Sequence, residues 1–120
     1  MEEKIRLITH EGKNILHLDF SNCKAEEILN TITEAKKVIA SYPEKSLLTL
    51  TDVTDARFND AVTQEMKAFT AHNRPYVRAG AVVGVTGLKR IIFQAVVAFS
   101  GRKLSAFDNV EQAMQWLVGN

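Results

Sequence analysis

Residues 4–10 (KIRLITH) and 15–20 (ILHLDF) alternate apolar and polar side chains, the period of a half-buried strand. Ile5 and Leu7 fall on one face of the first segment, and Leu16, Leu18 and Phe20 share a face of the second. The short glycine-containing turn between them, Glu11-Gly12-Lys13-Asn14, makes the pair an antiparallel hairpin. Over residues 24–41 the period becomes helical: Ile28, Ile32, Ala35 and Ile39 form a stripe that Leu29 and Val38 widen. Ser21 and Asn22 are candidate caps for this helix, and Pro43 stops the chain just after it. SLLTLTDV (46–53) reads as a third strand, and 59–72 as a second helix with Val62, Met66 and Phe69 on one face. YVRAGAVVGV (76–85) is nearly free of polar residues after Arg78, which suits a central strand covered on both sides and paired in parallel.

Thr86 opens a third helix that runs to Phe99, and 103–107 (KLSAF) is a last short strand. Asp108 and Glu111 form an Asp-x-x-Glu capping arrangement for a final helix striped by Val110, Ala113, Met114 and Leu117. The order is ββαβαβαβα. Strands that alternate with helices imply parallel pairing and right-handed crossovers, with the hairpin supplying an antiparallel edge. The pattern therefore predicts one domain over 1–120, an α/β sandwich with a mixed five-stranded sheet and four helices, each helix keeping one solvated face.

Composition narrows the function classes more than it selects one. The chain of 120 residues is 46% hydrophobic and 24% charged, ordinary for a soluble domain. Its net charge of +1 gives no field that points to nucleic acid or an acidic membrane. The single cysteine, Cys23, excludes an internal disulfide and a multi-cysteine metal site, and a reducing cytoplasm is the simplest setting. The charged start MEEKIRLITH does not read as a signal peptide, and the most apolar stretch, 91–99, is too short for a bilayer span of about 20 residues.

The segments ILHLDF, LLTLTDVTDARFNDAV, AVVGVTGLKR and FDNVEQAMQWL, taken in this order and at this length, resemble the STAS/SpoIIAA-like domains of anti-sigma factor antagonists. The resemblance implies the fold above and a bacterial regulatory domain that works through protein contacts. In the regulatory family the junction after the third strand carries Asp-Ser-Ser-Gly, whose second serine a partner kinase phosphorylates. The matching stretch here is Asp60-Ala61-Val62-Thr63, and only Asp60 fits. The phosphoacceptor position falls on Val62, which has no hydroxyl; Thr63, one residue on, is rotated by about 100° around the helix. A second resemblance, to the broader STAS/SEC14-like group, implies an apolar ligand.

Three features carry candidate chemistry. Asp19, Asp52, Asp55 and Asp60 gather near the carboxyl ends of strands, where open α/β sheets bind ligands, but with no histidine at ligand spacing turn and helix-start roles account for these acids better. The turn 84–90 places Thr86, Gly87, Lys89 and Arg90 at a strand-to-helix junction, a possible anion contact; its spacing matches no nucleotide-binding loop. The segment 91–99 is apolar on every face except at Gln94, so part of it is expected to meet a second subunit, an apolar ligand or a lipid surface, with Ile92, Phe93, Val96 and Phe99 as the contacts. His10, His17 and His72 lie at no ligand spacing, Cys23 reads as a core residue, and no metal or cofactor is expected.

The sequence thus points to a non-catalytic regulatory or protein-interaction domain without the phosphoserine switch. Its partner surface is expected at Asp55, Arg57, Asn59, Asp60 and Thr63, with a homodimer through the third helix as a related expectation. The alternative is a carrier or sensor for an apolar or amphipathic small molecule, with Lys89 or Arg90 on its acidic head.

Overall fold

A computed structural model describes residues 4–101 and 103–120. In chain order its elements are β1 (Ile5–His10), β2 (Lys13–Asp19), α1 (Ala25–Ala40), β3 (Leu47–Asp52), α2 (Asp60–Asn73), β4 (Val77–Val83), α3 (Lys89–Ser100), β5 (Leu104–Phe107) and α4 (Val110–Val118). The five strands lie in the order β1-β2-β3-β4-β5. β1 and β2 are antiparallel in the register Ile5↔Leu18 to His10↔Lys13, joined by the two-residue turn Glu11-Gly12. The three remaining pairings are parallel, and a register irregularity at Leu47/Leu48 marks the start of the β3–β4 ladder. The mixed sheet read from the sequence is therefore the sheet that forms.

Alternation within the strands divides the apolar residues between two faces. Leu16, Leu18, Phe20, Leu47, Val53 and Val77 pack with Ile28, Ile32, Ala35 and Ile39 of α1, Val62, Met66 and Phe69 of α2, and Val96 of α3. Ile15, Leu48, Leu50, Ala79, Ala81 and Val83 face the other way, onto Ala113 and Leu117 of α4. The sheet is thus covered on both sides at β4, which explains the apolar run of 79–83 that follows the exposed Arg78. The architecture has three layers of unequal thickness, with α1–α3 on one face and α4 on the other. Each fully buried Leu, Ile or Phe contributes about 1.5–3 kcal/mol, so the α1–α3 layer carries most of the stability.

The helix starts differ from expectation, each for a local reason. Ser21 and Asn22 do not cap α1: the Ser21 amide and hydroxyl both donate to Asp19 Oδ1, at 3.0 and 2.5 Å, and Asn22 sits at φ +57°. The Glu27 carboxylate instead reaches back to accept from the Lys24 amide at 3.0 Å. Asn109, not Asp108, caps α4, its Oδ1 accepting from Gln112 N at 2.8 Å. Thr86 does not cap α3, which begins only at Lys89. Leu7 shares its face with Ile5 but is 48% exposed, because β1 is an edge strand and Leu7 projects past the helical cover.

Asn59 does begin α2, with Oδ1 accepting from Val62 N at 2.8 Å. Asn59→Ala is expected to cost about 1 kcal/mol and to lower the melting temperature by about 4 °C, readable in a thermal melt. A loss below a quarter of that would mean that the cap is not holding the helix start.

Candidate functional site

Both candidate loops lie at the carboxyl edge of the sheet, side by side where Gly84 closely approaches Thr54. The β3–α2 loop is anchored by backbone bonds on three sides: Phe20 N donates to Asp52 O, Asn22 N to Thr54 O, Val53 N to Val83 O and Arg57 N to Cys23 O, all at 2.9 Å. Within it Val53 and Ala56 are buried and Phe58 half-buried, while Thr54, Asp55, Arg57, Asn59 and Asp60 face outward. Thr63 is half-buried, and Val62 is 0% exposed. The position that matches the phosphoacceptor therefore lies inside the core.

The acids do not converge on a reactive centre. Asp52 Oδ1 accepts from Thr54 N at 2.9 Å, and Asp19 is engaged by Ser21, so both close turns. No group of three His, Cys, Asp or Glu able to hold a metal exists among the described residues. Burial pushes Asp19 upward, but the hydrogen bonds from Ser21 and the nearby His17 and Lys4 outweigh it and hold the carboxyl below its ordinary value.

His17 stands on the α4 side of β2, opposite Arg6 in the ladder, with the guanidinium 3.3 Å from Nδ1. Burial is the main cause that lowers its pKa below the ordinary 6.5; Arg6 adds to this, while Asp19 and Asp52 oppose it. The unfolded chain then takes up the proton first, so His17 costs stability as pH falls below about 6.5. His17→Gln is expected to flatten that part of the stability–pH curve between pH 7 and 5, measured by urea denaturation; an unchanged slope would contradict the assignment.

At the second loop the chain turns before the helix begins. The amides of Lys89, Arg90 and Ile91 donate to Thr86 O, Gly87 O and Leu88 O, each at 3.1 Å. These bonds consume the amides that an anion at a helix start would use. Thr86, Gly87 and Arg90 are exposed, and Lys89 is half-buried.

The apolar helix proves to have two different apolar faces. Inward, Lys89, Ile92, Phe93 and Val96 line a cavity of about 80 Å³ between α2, α3 and the sheet. Val53, Phe58 and Val85 form its carboxyl-edge wall, Met66, Phe69, Thr70 and Asn73 its α2 wall, and Leu18, Thr49, Thr51, Val82 and Leu104 its floor. Outward, Leu88, Ile91 and Phe99 are 79%, 66% and 63% exposed. Of the residues expected to share one apolar surface, Ile92, Phe93 and Val96 belong to the cavity and Phe99 to the outer face. Leu88 and Ile91 were legible at helical spacing on that outer face; Thr49, Thr70 and Asn73 were not, since nothing local distinguishes them from strand and helix filler. The exposed polar residues Asp55, Arg57, Asn59 and Asp60 and the half-buried Thr63 do not line the cavity. The two candidate regions thus share a wall without sharing a surface. No helix among the described residues is long and apolar enough to cross a membrane.

The sequence matches no protein-family model and no curated protein. Its structure is similar to that of an uncharacterized DUF3478-family protein with a SpoIIAA-like fold from Shewanella loihica PV-4, with a TM-score of 0.73 at 13% identity, over 94% of this chain and 91% of that one. It is similar also to an anti-sigma-factor antagonist (STAS) domain protein from Planctomyces limnophilus, with a TM-score of 0.64 at 10% identity, over 95% and 97% of the two chains. At such identities the likeness speaks for the fold, and with the element order and mixed sheet described above it makes this a STAS/SpoIIAA-like fold.

Proposed function

We propose that this chain is a non-catalytic binding domain that holds an apolar or amphipathic small molecule between α3 and the sheet. The observation that carries the reading is the cavity: a mainly apolar lining from two helices and four strands, with one cation, Lys89, at its carboxyl-edge end. An apolar enclosure with few polar groups is the usual form of a small-ligand site. An amphipathic acid would place its chain against Phe69, Val82 and Ile92 and its carboxylate near Lys89. Native mass spectrometry after gentle purification, repeated with added octanoate, tests this. A bound small-molecule mass is expected; a clean unliganded mass in both samples would contradict it.

A second reading, contact with a regulatory protein partner, is favoured by the outward row Asp55, Arg57, Asn59 and Asp60. The similarity to an anti-sigma-factor antagonist domain supports it at the level of fold. Val62 has no hydroxyl and is buried, which supports a loop whose state is set by binding rather than by phosphorylation at that position. Reversing the charges of Arg57 and Asp60 is expected to abolish partner recovery from a native lysate, and equal recovery would count against this surface. The outer face Leu88, Ile91 and Phe99 is the place for self-association, which light scattering at high concentration would detect as a dimer.

A further inference from the structure

Four polar residues are buried in the described structure: Thr31, Thr49, Thr70 and Asn73. Two of them close on their own helices, Thr31 Oγ1 donating to Glu27 O at 2.8 Å and Thr70 Oγ1 to Met66 O at 2.7 Å. Thr49 has no such recourse, because a strand places no carbonyl one helical turn back. It is 3% exposed, lines the cavity, and its hydroxyl has no hydrogen-bond partner among the described residues. Asn73, 1% exposed and on the same cavity wall, has one end of its carboxamide held by His72 Nδ1 at 2.9 Å; the other end has no partner among the described residues. Buried polar groups are nearly always paired. Two unpaired ones on the lining of a single apolar cavity call for a common explanation.

Their placement supplies it. α2 and α3 both run back from the carboxyl edge of the sheet, so Asn73, the last residue of α2, lies at the far end from Lys89, the first of α3. Between these ends the cavity is walled by Phe69, Val82, Ile92 and Val96, and the rise from Lys89 to Val96 is roughly 10 Å. We propose that the Thr49 hydroxyl and the free end of the Asn73 carboxamide form a hydrogen-bonding anchor at the inner end of the cavity. They select a short amphipathic acid that carries a hydroxyl at its far end over a plain acyl chain. A ligand hydroxyl can both donate to Thr49 Oγ1 and accept from the Asn73 amide, which satisfies both residues at once. This inference rests on the ligand-binding reading above and adds to it the chemistry of the ligand's inner end.

Calorimetric titration with octanoate and ω-hydroxyoctanoate separates the two ideas, because octanoate needs only the cavity and Lys89. The wild-type chain is expected to prefer the hydroxy acid by about five- to tenfold, the worth of one net hydrogen bond. Thr49→Val should abolish that preference, bringing the two acids to equal affinity, and Thr49→Ser, which keeps the hydroxyl, should retain it. Equal binding of the two acids by wild type, or a preference that survives in Thr49→Val, overturns the anchor alone. Failure of both acids to bind overturns the ligand-binding reading and the anchor with it. Thr49→Val should melt at or above the wild-type temperature, since it breaks no bond within the protein; a lower melting temperature would show that the hydroxyl is paired inside the fold and would also overturn the anchor.

Discussion

Gly84→Ala is expected to destabilise the domain by about 3–5 kcal/mol, a fall in melting temperature of about 12 °C or more. Gly84 follows β4 at φ +87°, a conformation that costs an L-residue about 1–2 kcal/mol by itself. The larger part comes from contact. A Cβ placed there meets the backbone nitrogen of Thr54, with Thr54 Oγ1 at 2.5 Å and Thr54 Cα at 2.6 Å. Thr54 cannot retreat, since its amide donates to Asp52 Oδ1 and its carbonyl accepts from Asn22 N, both at 2.9 Å. Gly87→Ala is the control: φ is +56°, but no atom lies within 4 Å of the added Cβ, so only about 1 kcal/mol should be lost. Urea denaturation of the two variants checks the pair. Equal losses would show that the β3–α2 loop is not pressed against the end of β4.

Val62→Asp is expected to leave the chain largely unfolded at room temperature. Val62 is 0% exposed within the cluster formed by α1, α2 and the sheet. A carboxylate there has neither solvent nor a partner cation, and such a burial costs more than about 4 kcal/mol, against a total stability of about 5–15 kcal/mol for a domain. Val62→Ser is milder, about 2–3 kcal/mol from lost packing and a poorly satisfied hydroxyl. The restored serine should resist phosphorylation for as long as the domain stays folded. Circular dichroism of the aspartate variant and phosphate incorporation into the serine variant test the two halves of this statement. A cooperatively folded Val62→Asp would mean that α2 can rotate to expose this position.

Periodicity carried the fold because each strand and helix repeats its own burial. Leu16 and Leu18 alternate into one face, Ile28, Ile32, Ala35 and Ile39 recur along another, and both patterns are local. What periodicity misplaced were the ends, which depend on single hydrogen bonds. Glu27 caps α1 from inside the helix, Asn109 displaces Asp108, and the turns at Thr86, Gly87 and Leu88 delay α3 to Lys89. The two-sided apolarity of 91–99 was visible, and the structure gives each side its own surroundings. The site was legible only on its α3 wall. Thr49 lies on β3 and Asn73 at the end of α2, and they come to one cavity only after α2 folds back across the sheet. Val62 was legible both as a missing hydroxyl and, with Met66 and Phe69, as part of the buried face of α2.

The account turns on whether the space beneath α3 takes up a ligand. Methyl-resolved NMR during titration with octanoate addresses it directly. Shifts should concentrate on Val82, Ile92, Val96 and Met66, which line the cavity, and spare Leu50 and Leu117 on the α4 side. No saturable shifts, or shifts confined to the outward residues Leu88 and Ile91, would contradict it.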